Sequence, residues 1–211
     1  MDSINFIRHA PAIGLAIAAL AGAAQASIIT YNFSDITHND PTAAAQGEAQ
    51  LFVNISPAPG NQVSFVFHNE GSAPMSITDI YFQDGPILGL ATIIDGAGTD
   101  FEPGAQPNNL PGANLISPAF VATQAFSAQS QPPTQPLGVN PGEHVELRYT
   151  LIAGKTVTDI QNDLNSGALR IGLHVQGFGN GVSESFVNSV PTPGALAILG
   201  LGGLVMFRRR R

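Results

Sequence analysis

Apolar and polar residues alternate with a period of two in a series of short runs that begins at Ser27. In the clearest run, residues 63–68, the side chains of Val63, Phe65 and Phe67 fall on one face of an extended chain. Seven or more such runs, separated by Gly- and Pro-rich turns, favour an antiparallel β-sandwich. The sequence therefore predicts a mainly β body over residues 27–189. The other strand-like runs are 27–33, 49–55, 76–82, 87–94, 145–152 and 169–175.

One short helix is predicted inside this β pattern, over residues 156–165. Thr156 and Asp159 have the spacing of a capping box at its start, and Gly167 supplies a stop signal at its end. We expect the helix to cover an open edge or an end of the sandwich. Its apolar face is formed by Val157, Ile160 and Leu164.

Residues 101–141 break the alternation and are predicted to form a long surface loop. This segment contains eight prolines and little periodicity, with one short strand predicted around residues 119–126. A loop of this length is uncommon in a compact domain, and loops often carry binding residues. The segment is therefore either a binding region or a mobile connection.

Charge and cysteine content exclude several classes of function. The chain has 211 residues and no Cys, which excludes disulfides, thiolate zinc sites and cysteine nucleophiles. Between residues 27 and 189 only three basic residues stand against fourteen acidic ones. Such a body cannot neutralise a row of phosphates, so we expect no nucleic-acid partner. It also repels other acidic polymers unless divalent cations bridge them.

Residues 1–26 have the organisation of a secretory signal peptide. Arg8 provides the positive start, and residues 12–24 form an apolar stretch that is shorter than the roughly 20 residues of a membrane span. Ala24 and Ala26 give a small-x-small cleavage pattern, which predicts a mature chain that begins at Ser27. The secretion translocon and signal peptidase are the partners that this segment implies. The alternative is a buried N-terminal helix of a cytosolic protein.

The C-terminal end has three parts: a proline motif, an apolar stretch and a basic end. Residues 194–207 carry no charge, and as a helix these fourteen residues reach about 21 Å, short of a hydrocarbon core near 30 Å. A marginal span with cytoplasmic arginines suits a transient inner-membrane anchor, and a permanent anchor is the alternative. The motif is Val190, Pro191, Thr192 and Pro193, and the basic end is Arg208, Arg209, Arg210 and Arg211.

This order of parts resembles the PEP-CTERM sorting signal of Gram-negative envelope and biofilm-forming bacteria. Val190, Pro191 and Pro193 match its Val-Pro-Glu-Pro-like motif, whereas Thr192 stands where the family usually has Glu. The resemblance covers residues 190–211 and implies recognition by an exosortase, a membrane-embedded enzyme similar to cysteine transpeptidases. That enzyme would cut near the motif and either release the body or re-attach it at the cell surface.

A second resemblance lies immediately before this tail. Residues 170–178 and 181–186 look like a closing segment that precedes the sorting signal in many such surface proteins. Physically, they predict a core strand, a Gly-rich turn and a last strand that leads into the proline motif. The resemblance supplies no chemistry for the body.

The mature chain offers few groups for metal binding. The histidines lack a His-x-x-x-His spacing, and a structural role is favoured for them. Asp95, Asp100 and Glu102 place oxygen ligands of the kind that Ca²⁺ accepts on a flexible turn, although the register of an EF-hand is missing. A solvated acidic turn is the alternative for these three residues. The histidines are His38, His68, His144 and His174.

No catalytic arrangement emerges from the remaining polar residues. Neither of two carboxylate pairs predicts two acids that face each other across a cleft, as a glycosidase needs. The segment 183–185, Ser-Glu-Ser, lacks the Gly-x-Ser-x-Gly elbow. We therefore expect neither enzymatic activity nor a required cofactor. The two pairs are Glu143 with Glu146, and Asp159 with Asp163.

Taken together, these features predict an exported structural or interaction protein that is sorted at its C-terminus. Its expected location is the cell surface or the extracellular matrix, where exopolysaccharide is a further candidate partner. Two alternatives stay open: a calcium-dependent carbohydrate-binding module of the cell envelope, and an envelope hydrolase with unrecognised carboxylates.

Overall fold

A computed structural model describes residues 28–83 and 85–189. The sequence-predicted runs at 27–33, 49–55, 63–68, 76–82, 87–94, 145–152 and 169–175 each correspond to a strand, shifted by no more than a few residues. The strands of the described chain are β1 Ile29–Asp35, β2 Leu51–Ala58, β3 Gln62–Asn69, β4 Ser76–Gln83, β5 Ile87–Asp95, β6 Phe101–Pro103, β7 Ala128–Ser130, β8 Glu143–Leu151, β9 Arg170–Gln176 and β10 Glu184–Asn188. Its helices are α1 Pro41–Gln50, α2 Thr134–Leu137 and α3 Val157–Ser166, with 3₁₀ turns at Ala113–Leu115 and Gln124–Phe126.

The ten strands form one antiparallel sheet in the order β5-β8-β3-β2-β1-β10-β9-β4-β7-β6. The sheet curls until its two end strands, β5 and β6, contact each other, so that it is nearly closed into a barrel. The prediction of a mainly β, antiparallel body with few helices is confirmed. All ten strands are hydrogen-bonded into one continuous sheet, whereas a β-sandwich consists of two separate sheets.

The first strand joins the two halves of the sheet. The beginning of β1 pairs with β2, with Ile29 opposite Ile55, whereas its end pairs with β10, with Phe33 opposite Asn188. A strand that passes from one layer to another in this way makes a corner. We call β1, β2, β3, β8 and β5 the first half, and β10, β9, β4, β7 and β6 the second half.

The two halves enclose a core that is dominated by aromatic rings. Phe65 of β3 meets Phe82 of β4 edge-to-face at 5.1 Å between ring centroids, and Tyr149 of β8 lies 4.6 Å from Phe82. Val63, Phe65 and Phe67 are fully buried, as their alternation predicts. Inward- and outward-facing side chains alternate in burial along strands of the first half such as β2 and β8. Strands β4 and β10 of the second half are buried on both faces.

The predicted helix at 156–165 is confirmed as α3. The capping box between Thr156 and Asp159 is present in both directions, and Gly167 ends the helix in the left-handed region at φ +77°. Ile160 and Leu164 are fully buried in the main core, as the apolar spacing predicts.

The expectation of a single helix is wrong, because α1 and α2 were not predicted. α1 has a normal start: Asp40 caps it by accepting hydrogen bonds from the backbone N–H groups of Thr42 and Ala43, and Pro41 occupies its first turn. Its sequence, PTAAAQGEAQ, has almost no apolar periodicity, so the usual helix signal is weak. Only Ala43, Gly47 and Gln50 are buried along it.

The prediction of a long loop at 101–141 is wrong in part, because this segment contains β6, β7, α2 and both 3₁₀ turns. The strand predicted around 119–126 is replaced by a 3₁₀ turn, and the strand itself lies at Ala128–Ser130. Much of the segment covers the outer face of the second half through a second apolar cluster. That cluster consists of Ile36, Tyr81, Ala105, Leu110, Ala113, Phe120 and Val187.

Candidate functional site

The residues of the two predicted processing signals lie outside the described chain. This applies to Ala24, Ala26 and Ser27 at the signal cleavage site and to residues 190–211, which include the Val190–Pro193 motif, the expected membrane helix at 194–207 and Arg208–Arg211. Among residues 28–83 and 85–189, no helix is long and apolar enough to cross a membrane.

The candidate calcium turn joins the end of β5 to β6, and two of its three carboxylates, those of Asp95 and Glu102, accept hydrogen bonds from protein groups. Asp95 accepts a hydrogen bond from the backbone N–H of Phe101 at 2.9 Å. Burial raises the pKa of Asp95, which the N–H of Phe101 opposes and the charge of Asp100 reinforces. The two carboxylate oxygens of Glu102 accept hydrogen bonds from Gln129 and Gln131, each at 2.8 Å.

These contacts leave the turn without a cluster of ligands. Within the described residues, no group of three or more His, Asp or Glu side chains is placed to hold a metal ion. The structure therefore does not bring Asp95, Asp100 and Glu102 together as a calcium site.

The first carboxylate pair proposed for glycosidase chemistry is separated by the strand that carries it. Glu143 and Glu146 are three residues apart on β8, so their side chains leave opposite faces of the strand. Glu143 accepts a 2.9 Å hydrogen bond from the backbone N–H of Asn140. Glu146 accepts hydrogen bonds from Ser64 at 2.7 Å and Arg148 at 2.6 Å. Both carboxylates therefore hold neighbouring protein groups, and they do not face each other across a cleft.

The second pair belongs to helix α3. Asp159 accepts hydrogen bonds from the backbone N–H and the hydroxyl of Thr156, both at 2.8 Å, and so caps the helix. Hydrogen bonds from Thr156 lower the pKa of Asp159, as expected for a carboxylate at a helix start. Asp163 lies one turn further along the same helix, and the two carboxylates do not face each other across a cleft.

Glu184 is a buried carboxylate with a structural role. It is almost fully shielded from solvent and accepts hydrogen bonds from the hydroxyl of Thr37 and from the backbone N–H groups of Asn39 and Asp40. These contacts fix the connection between β1 and α1. Exposed His38 lies at the same connection, with its Nδ1 2.6 Å from Oδ2 of Asp35.

A polar row that sequence reasoning missed crosses the second half. His174 of β9 stands directly opposite Asp79 of β4 and Ser185 of β10, and Nδ1 of His174 lies 3.1 Å from Oδ2 of Asp79. The N–H and C=O of Ser185 both bond toward residues 36–37, so Ser185 and His174 form a non-hydrogen-bonded pair, in which side chains approach closely. The residues thus occur in the order Ser, His, Asp.

Accessibility argues against hydrolysis by this row. Ser185 is only 1% exposed, and its hydroxyl is a buried atom without a hydrogen-bond partner in the described chain. A nucleophile has to touch its substrate, whereas Ser185 is covered. Within the row, the contact between His174 and Asp79 links β9 to β4, and the Ser185 hydroxyl takes no part in it.

The outer face of the first half carries a more accessible array of rings. His68 of β3 stands opposite Phe52 of β2 on one side and His144 of β8 on the other. The His68 and Phe52 rings stack at 4.7 Å with an angle of 13°, and the ring centroids of His68 and His144 are 5.8 Å apart. We call Phe52, His68 and His144 the ring row.

Polar groups surround the ring row. Nδ2 of Asn54 lies 3.4 Å from Nε2 of His68, and Oε1 of Glu70 lies 3.6 Å from Nδ1 of His68. Burial lowers the pKa of His68, an effect that the Glu70 carboxylate opposes and His144 reinforces. His68 is therefore neutral at neutral pH. Sequence reasoning could not find this pairing, because His68 and His144 meet only through the register of β3 with β8.

Comparison with known proteins gives no functional lead, since no family model, curated protein or solved structure matches the chain.

Proposed function

We propose that this chain is an exported structural or interaction protein of the cell surface or extracellular matrix, sorted and processed at its C-terminus by an exosortase. The observation that carries the proposal is the order of parts in residues 190–211: a Val-Pro-Thr-Pro motif, fourteen uncharged residues and four arginines. An N-terminal segment with the features of a signal peptide supports export through the secretion translocon. Transient anchorage in the inner membrane follows from the marginal length of the apolar stretch.

The structure of the body is better suited to a structural or interaction protein than to an enzyme. We treat its nearly closed sheet as a sandwich-like barrel, whose two halves pack face to face through Phe65 and Phe82. Its carboxylates Glu102, Glu146 and Glu184 are occupied by internal hydrogen bonds. Chemistry is accordingly performed on this protein at its two ends, and its surface engages partners such as exopolysaccharide.

Mass spectrometry of the protein purified from its own host tests the proposal. The expected mature chain begins at Ser27 and ends at or near residues 190–193, with or without an attached group. A chain that keeps both Met1 and Arg211 would contradict export and sorting together. A chain that begins at Ser27 but ends at Arg211 would retain export and replace sorting with a permanent anchor.

Two variants test whether cutting depends on the proline motif at residues 190–193. Replacing Pro191 and Pro193 with Ala is expected to leave the tail uncut and the protein in the inner membrane, since the motif is what the enzyme would read. Replacing Thr192 with Glu, the residue usual in the resembled signal, is expected to preserve or increase cutting. Equal processing of both variants and the parent would overturn recognition of the motif.

The alternative of a calcium-dependent carbohydrate-binding module receives no support from the acidic turn. The oxygens of Glu102 bind Gln129 and Gln131, and that of Asp95 binds the Phe101 N–H. Calorimetry with Ca²⁺ is expected to show no heat of binding at this turn. A calcium heat that disappears in Asp95→Asn would revive this alternative.

A further inference from the structure

The ring row places two imidazoles side by side on a rigid, solvent-facing part of the sheet. His68 and His144 are directly opposed on β3 and β8, and their ring centroids are 5.8 Å apart. The two strands are held by a continuous ladder from Gln62–Thr150 to Asn69–Glu143. The backbone positions of both ligands are thus fixed before any ion arrives, which removes most of the ordering cost of chelation.

We propose that His68 and His144 together bind one divalent transition-metal ion, with Cu²⁺ held most tightly, on the outer face of β3 and β8. The site is independent of the proposed sorting function. Imidazole nitrogen is a good ligand for Cu²⁺, Ni²⁺ and Zn²⁺, and the usual order of affinities among divalent ions places Cu²⁺ first. With two protein ligands, water completes the coordination, so the ion exchanges readily.

The groups around His68 favour a proton on Nδ1 and a free lone pair on Nε2, the nitrogen that we expect to bind the metal. Glu70 lies 3.6 Å from Nδ1, and a metal-bound histidine commonly donates its other N–H to a carboxylate. The ligand atom is therefore Nε2, whose present neighbour, Nδ2 of Asn54, is 3.4 Å away. Oδ1 of Asn54 accepts a 2.7 Å hydrogen bond from Thr30, which turns the NH₂ group of Asn54 toward Nε2. In this orientation Nε2 carries the lone pair that a metal requires.

Stacking also favours His68 as a ligand. The Phe52 ring, 4.7 Å away and nearly parallel, restricts rotation of the His68 ring. The orientation of this imidazole is therefore partly fixed before an ion binds.

His144 supplies the mobile half of the chelate. Its side chain is exposed, so it can rotate to bring a nitrogen to an ion held by His68. Glu146, two residues along β8 on the same face, interacts electrostatically with His144. Glu146 is ion-paired with Arg148, so the unpaired negative charge beside the two histidines comes from Glu70. The net negative charge of the body favours cations over anions in general.

Copper titration of the purified, untagged full-length protein in detergent tests the site. Calorimetry is expected to give one Cu²⁺ per chain, and electron paramagnetic resonance is expected to show coupling to two imidazole nitrogens. Removing one ligand, in His68→Asn or His144→Asn, is expected to weaken binding by on the order of 10²-fold, because the chelate is lost. Zn²⁺ is expected to bind at the same place more weakly.

His38→Asn is the matched control, since His38 is also an exposed histidine beside a carboxylate but has no second imidazole opposite it. Its Cu²⁺ affinity is expected to equal that of the parent. If His68→Asn disturbs folding, as circular dichroism would show, the surface variant His144→Asn decides alone. Parental affinity in His144→Asn, or coupling to only one imidazole in the parent, would overturn the proposal. Neither result bears on export or tail processing.

Discussion

At the scale of single residues, the ring of Phe186 leaves no room for a side chain at position 47, which is therefore glycine. A Cβ built on Gly47 lies 2.2 Å from Cζ of Phe186, a ring that is fully buried in the main core. Gly47→Ala is expected to lower the free energy of unfolding by roughly 1–3 kcal/mol, because the added methyl group would overlap a fully buried ring and one of the two must shift. Urea denaturation measures this change.

The control for that substitution is another glycine without close neighbours. A Cβ built on Gly89 meets nothing within 4 Å. Gly89→Ala is therefore expected to leave stability within about 0.5 kcal/mol of the parent. Equal effects of the two substitutions would show that α1 moves freely away from β10.

A pH-dependent contribution to stability is expected from His68. Burial holds its folded-state pKa below the unfolded value of about 6.5, so the unfolded chain binds more protons as pH falls through this region. The contribution of His68 to stability is therefore present above pH 6.5 and decreases as the solution becomes more acidic. In His68→Gln, the slope of unfolding free energy against pH between 7 and 5 is expected to be smaller. An unchanged slope in metal-free buffer would contradict this assignment.

At the scale of elements, Arg170 holds residues 104–123, which cover the outer face of the second half, against the sheet. Its guanidinium donates hydrogen bonds to the backbone carbonyls of Pro118 and Ala119, at 2.8 and 2.6 Å, and lies 5.4 Å from the centre of the Phe120 ring. Arg170→Ala is expected to increase hydrogen exchange in residues 104–123 while the strands stay protected, since the lost contacts are local. The stability cost is expected to be about 2–4 kcal/mol, as both carbonyls lose a charged donor.

Arg148→Ala is the matched control for this prediction. Arg148 pairs with Glu146 on the outer face of the first half, where both side chains are partly exposed. Such surface pairs contribute about 0–1 kcal/mol. Faster exchange in residues 104–123 of Arg148→Ala would show that the segment responds to general destabilisation rather than to loss of its anchor.

The elements that the sequence predicts correctly are those whose signal is local. Strand β3 and helix α3 have clear apolar periods, and the capping box of α3 is readable from Thr156 and Asp159. Helix α1 is missed although Asp40 and Pro41 give a local start signal, because its sequence has almost no apolar periodicity. Tertiary packing holds it instead, with Gly47 directly against the ring of Phe186. Propensity and periodicity both understate such a helix.

The candidate sites depend on register, which the sequence does not encode locally. His68 meets His144 only when β3 and β8 are aligned, and His174 meets Asp79 and Ser185 only when β9 is aligned with β4 and β10. A shift of one residue would send each side chain to the opposite face of the sheet. The predicted calcium site does not form for a related reason. The pairing of β6 with β7 brings Gln129 and Gln131 to Glu102, and both of its carboxylate oxygens accept hydrogen bonds from them.

At the scale of the whole molecule, the two halves of the sheet are joined by the first and last strands of the described chain. β1 and β10 pair with each other, Phe33 opposite Asn188, and the backbone N–H of Ser189 donates to the carbonyl of Asn32. Within residues 28–83 and 85–189, the backbone ladder therefore joins both halves. This arrangement is compatible with the proposed removal of the signal and tail segments.

A polypeptide limited to residues 27–189 is consequently expected to fold cooperatively, with a single unfolding transition in urea and the near-ultraviolet circular dichroism of packed aromatic side chains. Ending the chain at residue 180 removes β10, and with it the ring of Phe186 and the carboxylate of Glu184 that fixes the β1–α1 connection. That shorter chain is expected to lose the cooperative transition, because the two halves of the sheet are no longer joined through β1. Cooperative unfolding of both polypeptides would make the corner strand dispensable, whereas failure of residues 27–189 to fold would assign the terminal segments a structural role.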